Sequence, residues 1–286
     1  MKIAVLLTTY NRKDKTLGCL KSLYSQDINN DVELSTFLTD DLSSDGTAEA
    51  VKQSFPQVQL LKGTGTLFWA GGMRKSWRRA SEGNFDYYLL VNDDTILFPD
   101  ALDTLLKCAE TTRKKFGAAG ICIGSTMDAV SQKISYGGKK LTSHFSIKSV
   151  QVFSSKEAVE CDLGNANIML VPAQVVQKVG ILSDHFTHGI ADYDYTLKAK
   201  KAGFSVVVAP GVLGECTDDH GNNWRGQNTT LSERIKYLMS PKGLAYHEYL
   251  GFIRDHFPVY YPFAFSKLWL KTLFPFIWEN LKARPN

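Results

Sequence analysis

Two adjacent carboxylates, Asp93 and Asp94, end the apolar run Tyr87-Tyr88-Leu89-Leu90-Val91. A short apolar run bounded by polar residues reads as a buried strand. The pair then stands at the strand's carboxyl end, the edge where open α/β sheets bind ligands. Side by side, two carboxylates repel unless a cation lies against them. A hard divalent ion, Mg2+ or Mn2+, suits such oxygen ligands and usually takes substrate phosphates as further ligands. A solvated turn after a strand would use the same residues, since Asp is frequent in turns.

The elements around this pair follow from hydrophobic spacing. Lys2–Leu7 is a strand that leads into the polar loop Thr8-Thr9-Tyr10-Asn11-Arg12. Leu17, Leu20, Leu23 and Tyr24 recur at helical spacing, and Glu33–Thr39 is a second strand that ends in Asp40-Asp41. Asp45-Gly46-Thr47 caps a helix over Ala48–Phe55, and Val58–Leu61 is a third strand. This β-α-β-α-β order, with polar residues at the strand ends, predicts a parallel sheet in an α/β layer fold. Gly63–Met73 is expected as a flexible loop carrying Trp69, ahead of a helix with Arg74, Lys75, Arg78 and Arg79. Arg74 and Arg78 share a face, which either meets a diphosphate or is solvated.

Farther on, Asp100–Phe116 is an amphipathic helix, Ala118–Ile123 a strand, and residues 124–160 a set of hairpins. Asn165 and Asn167 lie in a turn entering the strand Ile168–Val171. Tyr193–Ala202 is a short helix closed by Gly203, a good residue just past a helix end. Asp192 directly before it serves as an N-cap. Ser205–Ala209 is the last strand.

Several classes are excluded. There is no G-x-x-x-x-G-K-[ST], and the nearest G-x-G-x-x-G, from Gly63, has Phe68 at the third glycine, so neither a P-loop nor a dinucleotide site is expected. Five cysteines without a C-x-x-C argue against a disulfide framework and a zinc site and suit a reducing cytosol. A strand beginning at Lys2 leaves no room for a signal peptide, so a cytoplasmic chain is expected. No nucleic-acid partner is expected.

The formal charge of +4 is unevenly placed: residues 236–286 hold seven of the 33 basic and three of the 29 acidic side chains, and the rest is neutral. The same stretch has 13 of the 33 aromatic residues. We divide the chain into a domain over 1–235, with halves 1–123 and 124–235, and a basic-aromatic helical extension over 236–286. Aromatic and lysine residues together suit a segment lying on an anionic membrane surface, peripheral on the inner face of the plasma membrane. A helical hairpin packed on the domain or on a second subunit, as in a homodimer, uses the same composition.

Four pieces in order carry a resemblance: Thr8-Thr9-Tyr10-Asn11-Arg12, Thr39-Asp40-Asp41-Leu42-Ser43-Ser44-Asp45-Gly46-Thr47, Asn92-Asp93-Asp94-Thr95 and Gly189-Ile190-Ala191-Asp192-Tyr193-Asp194. Together they resemble the family 2 glycosyltransferases of GT-A fold, in the rhamnosyltransferase-like branch that builds bacterial surface polysaccharides. The resemblance implies a metal-dependent, inverting transfer from a UDP- or dTDP-sugar donor to a glycan or lipid-linked acceptor. It implies a nucleoside pocket lined by Thr8, Tyr10, Arg12 and Asp41, where Tyr10 offers a stacking face and Asp41 an acceptor for a base N–H. Asp94 would be the direct metal ligand, Asp93 would lie nearer the ribose or sugar, and His220 would be a further metal ligand. Trp69 and Arg74 fall on the donor side, though Met73-Arg74 departs from the family's pattern there. Asn165 and Asn167 fall on the acceptor side. Asp192 would be the catalytic base, with Asp194 as understudy; Ala191 stands where the family has Glu. Without a Q-x-x-R-W, the processive synthases are disfavoured. A sugar-phosphate nucleotidylyltransferase and a nucleotide-sugar or glycan-binding protein without turnover are the alternatives.

Overall fold

The computed structural model describes residues 1–29, 31–217 and 229–276. The first half runs β1 (Lys2–Thr9), α1 (Lys13–Tyr24), β2 (Glu33–Asp40), α2 (Thr47–Ser54), β3 (Gln59–Lys62), α3 (Phe68–Ala80), β4 (Tyr87–Val91), β5 (Ile96–Leu97) and α4 (Ala101–Phe116). Then come β6 (Gly120–Met127), the short strands β7 (Ile134–Tyr136), β8 (Gly138–Leu141), β9 (Ser149–Val152), β10 (Val159–Glu160) and β11 (Leu163–Gly164), and β12 (Ile168–Pro172). After α5 (Ala173–Val179), α6 (Ala191–Lys201) and β13 (Ser205–Glu215), the chain ends in α7 (Leu231–Met239), α8 (Tyr246–His256) and α9 (Tyr261–Leu273).

Among the described residues the main sheet runs β10-β13-β6-β12-β4-β1-β2-β3, with β5 on β13 and β7 on β6. β1 pairs in parallel with both β2 and β4, whereas β12 is antiparallel to β4 and β6. Successive side chains of a strand face opposite ways, and both faces of β1 are covered. Ala4 and Leu6 join one buried cluster with Trp77 and Tyr195, while Ile3, Val5 and Leu7 join another with Leu20 and Leu105. Burial on both faces is why these strands read as unbroken apolar runs.

One sequence expectation changes. Residues 68–73, expected as loop, are the first turns of α3. Gly71 and Gly72 cost about 1 kcal/mol each in a helix relative to Ala. Packing decides here: a Cβ on Gly72 would stand 1.9 Å from Thr8 Oγ1, so only glycine lets α3 lie this close to β1. The terminal segment joins the first buried cluster through Leu250, Phe252 and Ile253 of α8, in keeping with the hairpin packed on the domain.

Candidate functional site

Parallel pairing brings three strand ends to one edge. Thr9 of β1 is level with Asp40 of β2, and β4 runs alongside β1. Tyr10–Arg12, Asp40–Asp41 and Asn92–Asp94 therefore leave the sheet together. Arg12 reaches both carboxylates, with Nη1 2.5 Å from Asp94 Oδ2 and 3.4 Å from Asp93 Oδ1; Lys15 lies 3.8 Å from Asp94 Oδ2. Asp93 is buried, and its Oδ2 has no hydrogen-bond partner. Burial pushes its pKa up to about 6, against the opposing pull of Arg12.

The loop carrying the pair is pinned from three sides. Asn92 N–H donates to Asn167 O, Trp69 Nε1–H donates to Asn92 Oδ1, and the Cys19 thiol donates to Asn92 O. Cys216, at the end of β13, is 3.6 Å from Asp94 Oδ1, and burial and the Asp94 charge push its thiol up to about 12.

The donor set fits a hard divalent ion: two adjacent carboxylates, one with an orphaned buried oxygen. Among the described residues no group of three His, Cys, Asp or Glu side chains is arranged to hold a metal. An ion here would complete its shell with water and phosphate oxygens, as Mg2+ commonly does. His220, the expected further ligand, lies outside the described residues.

Asp192 lies in the first turn of α6. It is not the expected N-cap: α6 begins at Ala191, and the cap position is Ile190, in the left-handed region at φ 70. A β-branched residue is strained there, by an order of 1–3 kcal/mol. The strain sits two residues from Asp192, whose carboxylate is directed inward: Oδ2 accepts from Ala166 N–H and Asn165 Nδ2–H, each at 3.3 Å, and Oδ1 accepts from Tyr193 N–H at 2.8 Å. Burial raises its pKa, and these three hydrogen bonds oppose the rise.

Residues 165–167 thus touch Asp192 and the loop that carries Asp93 and Asp94. Asn165 and Ala166 hold Asp192, while Asn167 holds Asn92 through its carbonyl and Cys216 through Nδ2 at 3.3 Å.

The loop before α6 is clamped from both flanks. On one side Arg74 Nη1 donates to Ser183 O and Phe186 O, its Nε contacts Asp184 at 3.0 Å, and Ala70 N–H donates to Thr187 O. On the other, Glu248 of α8 accepts from Thr187 N–H at 2.9 Å and from its hydroxyl at 2.5 Å. Asp194 is buried, contacting His256 Nε2 at 2.8 Å and Lys198 Nζ at 2.7 Å.

Several expected contacts take a different form. Arg74 is 8% exposed and its guanidinium is committed to the 183–186 loop, not presented to a diphosphate. Asp41 is buried and accepts from four backbone N–H groups, those of Thr64, Gly65, Leu67 and Phe68. A carboxylate has about four lone-pair sites, so a base N–H would compete with these bonds. Thr8 lies beneath Gly72, whereas Tyr10 is 48% exposed at the mouth of the edge. Asp194 is tied to α8 and Lys198, a packing role that leaves Asp192 as the carboxylate beside Asn165. Glu248 and His256 escaped notice in the sequence because each meets its partner across more than 60 residues.

A sequence profile described as "Glycosyltransferase like family 2" matches residues 1–238. Among curated proteins none matches the sequence. Solved structures that share the fold include the mannosyltransferase PcManGT from Pyrobaculum calidifontis in complex with GDP-Man and Mn2+. It is 16% identical with a TM-score of 0.57, over 94% of this chain and 69% of that one. S. aureus TarS 1-349 in complex with UDP-GlcNAc gives 15% identity and a TM-score of 0.55, over 92% of this chain and 73% of that one. S. aureus TarS gives 16% and 0.54, with 97% of this chain spanning 49% of that one. The chain belongs to the family 2 glycosyltransferases and has their GT-A fold.

Proposed function

We propose that this glycosyltransferase is inverting, metal-dependent and non-processive, and moves a sugar from a UDP- or dTDP-sugar to a hydroxyl of a glycan or glycolipid acceptor. We further propose that it works in bacterial surface-polysaccharide synthesis at the cytoplasmic side of the membrane. The observation that carries this is the segment Asn165–Asn167, which joins Asn92, the residue before the Asp93–Asp94 pair, to Asp192 through one turn of chain. The two carboxylate groups that such a transfer needs are thereby fixed relative to each other. The GDP-Man and UDP-GlcNAc held by the structural neighbours favour a nucleotide-sugar donor.

In this scheme Tyr10 stacks on the base at the open edge, above the loop that Asp41 holds. Trp69 fixes Asn92, so the Asp93–Asp94 turn meets the diphosphate in one geometry. Asp94 is the metal ligand and Asp93 lies nearer the ribose or sugar. Mg2+ or Mn2+, when bound there, neutralises charge on the leaving diphosphate. Arg12, which pairs with both carboxylates, stands on the donor side of the same edge.

On the other side an acceptor hydroxyl attacks the anomeric carbon from the face opposite the diphosphate. As the new C–O bond forms and the bond to phosphate breaks, the hydroxyl proton passes to Asp192. Proton transfer needs a carboxylate in hydrogen-bond reach and in its ionised form. Burial strengthens Asp192 as a proton acceptor, and the three hydrogen bonds keep it oriented. Asn165 and Tyr193 border the acceptor.

The nucleotidylyltransferase alternative calls for a glycine-rich loop with Arg after the first strand, and Thr8–Arg12 contains no glycine. A panel of UDP-, dTDP- and GDP-sugars, with Mn2+ or with chelator, tests the proposal. Metal-dependent release of nucleoside diphosphate, with product of inverted anomeric configuration by NMR, is expected. Donor binding without turnover on any acceptor would leave a binding protein, and retained configuration would remove Asp192 as base.

A further inference from the structure

The last described helix is turned inside out with respect to solvent. Ala264 and Thr272 of α9 are buried, Leu268 and Trp269 pack on the core, and Trp269 Nε1–H donates to Tyr246 Oη at 3.0 Å. Arg234 of α7 fixes the same side by donating to Thr272 O. This side holds α9 on the domain, so its opposite side is displayed in a set orientation.

That opposite side is apolar. Phe263, Lys267, Leu270 and Phe274 are spaced i, i+4, i+7, i+11, which places them in one stripe. Phe263 is 58% exposed, Leu270 50% and Phe274 43%, and Leu273 and Phe276 beside them are also exposed. Large exposed apolar patches mark interaction surfaces. Lys267 is the stripe's charged member, and from His256 to Trp278 the sequence has no Asp or Glu.

We propose that this stripe is a docking face for an anionic phospholipid surface, on which α9 lies in the plane of the headgroups. The proposal rests on the glycolipid-acceptor reading above and extends it by naming the surface and its lipid chemistry. Charge decides between a membrane and a second copy of the chain. In a two-fold interface the same patch faces itself, so both stripes would add a Lys267 charge to the interface and neither an acid to pair it. An anionic headgroup layer supplies the missing negative charge, and the phenyl and leucyl side chains enter its acyl boundary. Among the described residues no helix is long and apolar enough to cross a membrane, and α9 with 13 residues is about 20 Å long. It can lie on a bilayer but not span it. The same helix packs beside α8, whose Glu248 holds the loop that leads to Asp192. Docking would therefore couple the lipid surface to the helix pair that holds this loop.

The test is flotation of the full chain with vesicles of phosphatidylglycerol and phosphatidylcholine, or of phosphatidylcholine alone, without donor. The wild type is expected to float with the anionic vesicles and to be released as salt rises from about 0.1 to about 0.5 M. Phe263→Ser with Leu270→Ser is expected to weaken binding by about tenfold or more, and Lys267→Glu to reduce both affinity and salt dependence. Circular dichroism checks that each variant is folded, and calorimetric titration of nucleoside diphosphate follows the donor site independently. Unchanged flotation of folded variants, or equal binding to neutral vesicles, would overturn the proposal. So would a wild-type dimer in sedimentation that the double variant dissociates, which would make the stripe a subunit interface. None of these outcomes touches donor binding, so failure of the membrane face and failure of the transferase proposal are separable.

Discussion

At the Asp93–Asp94 edge, position is set by backbone register: β1, β2 and β4 lie side by side in parallel, and their ends must leave the sheet together. At Asp192, position is set by side chains from distant segments. Asn165 orients the carboxylate, Arg74 and Glu248 clamp the preceding loop, and His256 anchors the helix through Asp194. The difference has a mechanical consequence. A strand-end motif survives substitution of its functional atoms because the ladder holds it, whereas the second carboxylate depends on side-chain contacts that single substitutions can loosen. Losses at the first edge should therefore be chemical, and many losses at the second should be geometric.

The largest expected effect tests which carboxylate takes the proton. Asp192→Asn should lower turnover by roughly 10²–10⁴-fold, the range for loss of a general base, with donor affinity nearly unchanged. Steady-state kinetics beside calorimetry of the nucleoside diphosphate would read this split. Asp194→Asn should act instead on stability, since Asp194 is buried between His256 and Lys198. If Asp194→Asn abolishes transfer in a folded protein and Asp192→Asn does not, the roles are reversed.

Next in size is the metal. Asp94→Asn should cost more diphosphate affinity in Mn2+ than the roughly 10–100-fold typical of losing an outer-shell partner. Melting temperature without metal should change little, because β4 and its neighbours hold the turn. Equal affinity for wild type and variant in Mn2+ would show that the edge does not bind the ion.

The same contrast explains what was legible in the sequence. The strands around β1 announce themselves because both faces are buried, and the carboxylates follow directly at their ends. The place of Asp93 and Asp94 just past a strand end was readable from the sequence alone. Gly71 and Gly72 misled, since two glycines signal a loop by propensity, yet they serve to let α3 close on Thr8. Arg74 misled for a related reason: its spacing from Arg78 describes a helix face, but not whether loop carbonyls cover it. The family motif pointed to Asp192, whereas periodicity made it a cap, and the helix starts one residue earlier. Glu248 and His256 left no local signal at all, because nothing in a sequence marks which carboxylate of a tail helix will reach a threonine 61 positions earlier.

That tail contact gives a smaller, more diagnostic effect. Glu248→Ala removes two hydrogen bonds to Thr187, and bonds to a charged group are worth about 1.5–3 kcal/mol. If the clamp positions Asp192, turnover should fall by about tenfold or more while donor affinity stays constant. Glu248→Gln, which keeps one acceptor oxygen, should recover part of the loss. Normal turnover in a destabilised Glu248→Ala protein would make the clamp purely a matter of folding.

The smallest effect belongs to the first edge and concerns what it costs to keep Asp93 ionised. Its pKa stands at about 6 in the folded chain, against about 3.9 in an unfolded one. Between these values the folded state binds more proton, so the stability of the metal-free protein should fall as pH rises from 4 to about 6 and level off above. At about 1.36 kcal/mol per pKa unit the full swing is about 3 kcal/mol. The value of about 6 already includes the attraction to Arg12, so removing the charge in Asp93→Asn should gain up to about 3 kcal/mol at pH 7. Urea unfolding in chelator at pH 7 and pH 5 measures this: the variant should be the more stable at pH 7, and its advantage should shrink at pH 5. A variant less stable than wild type at pH 7 would mean that Arg12 already balances the burial of Asp93, and that the edge is at rest without a metal.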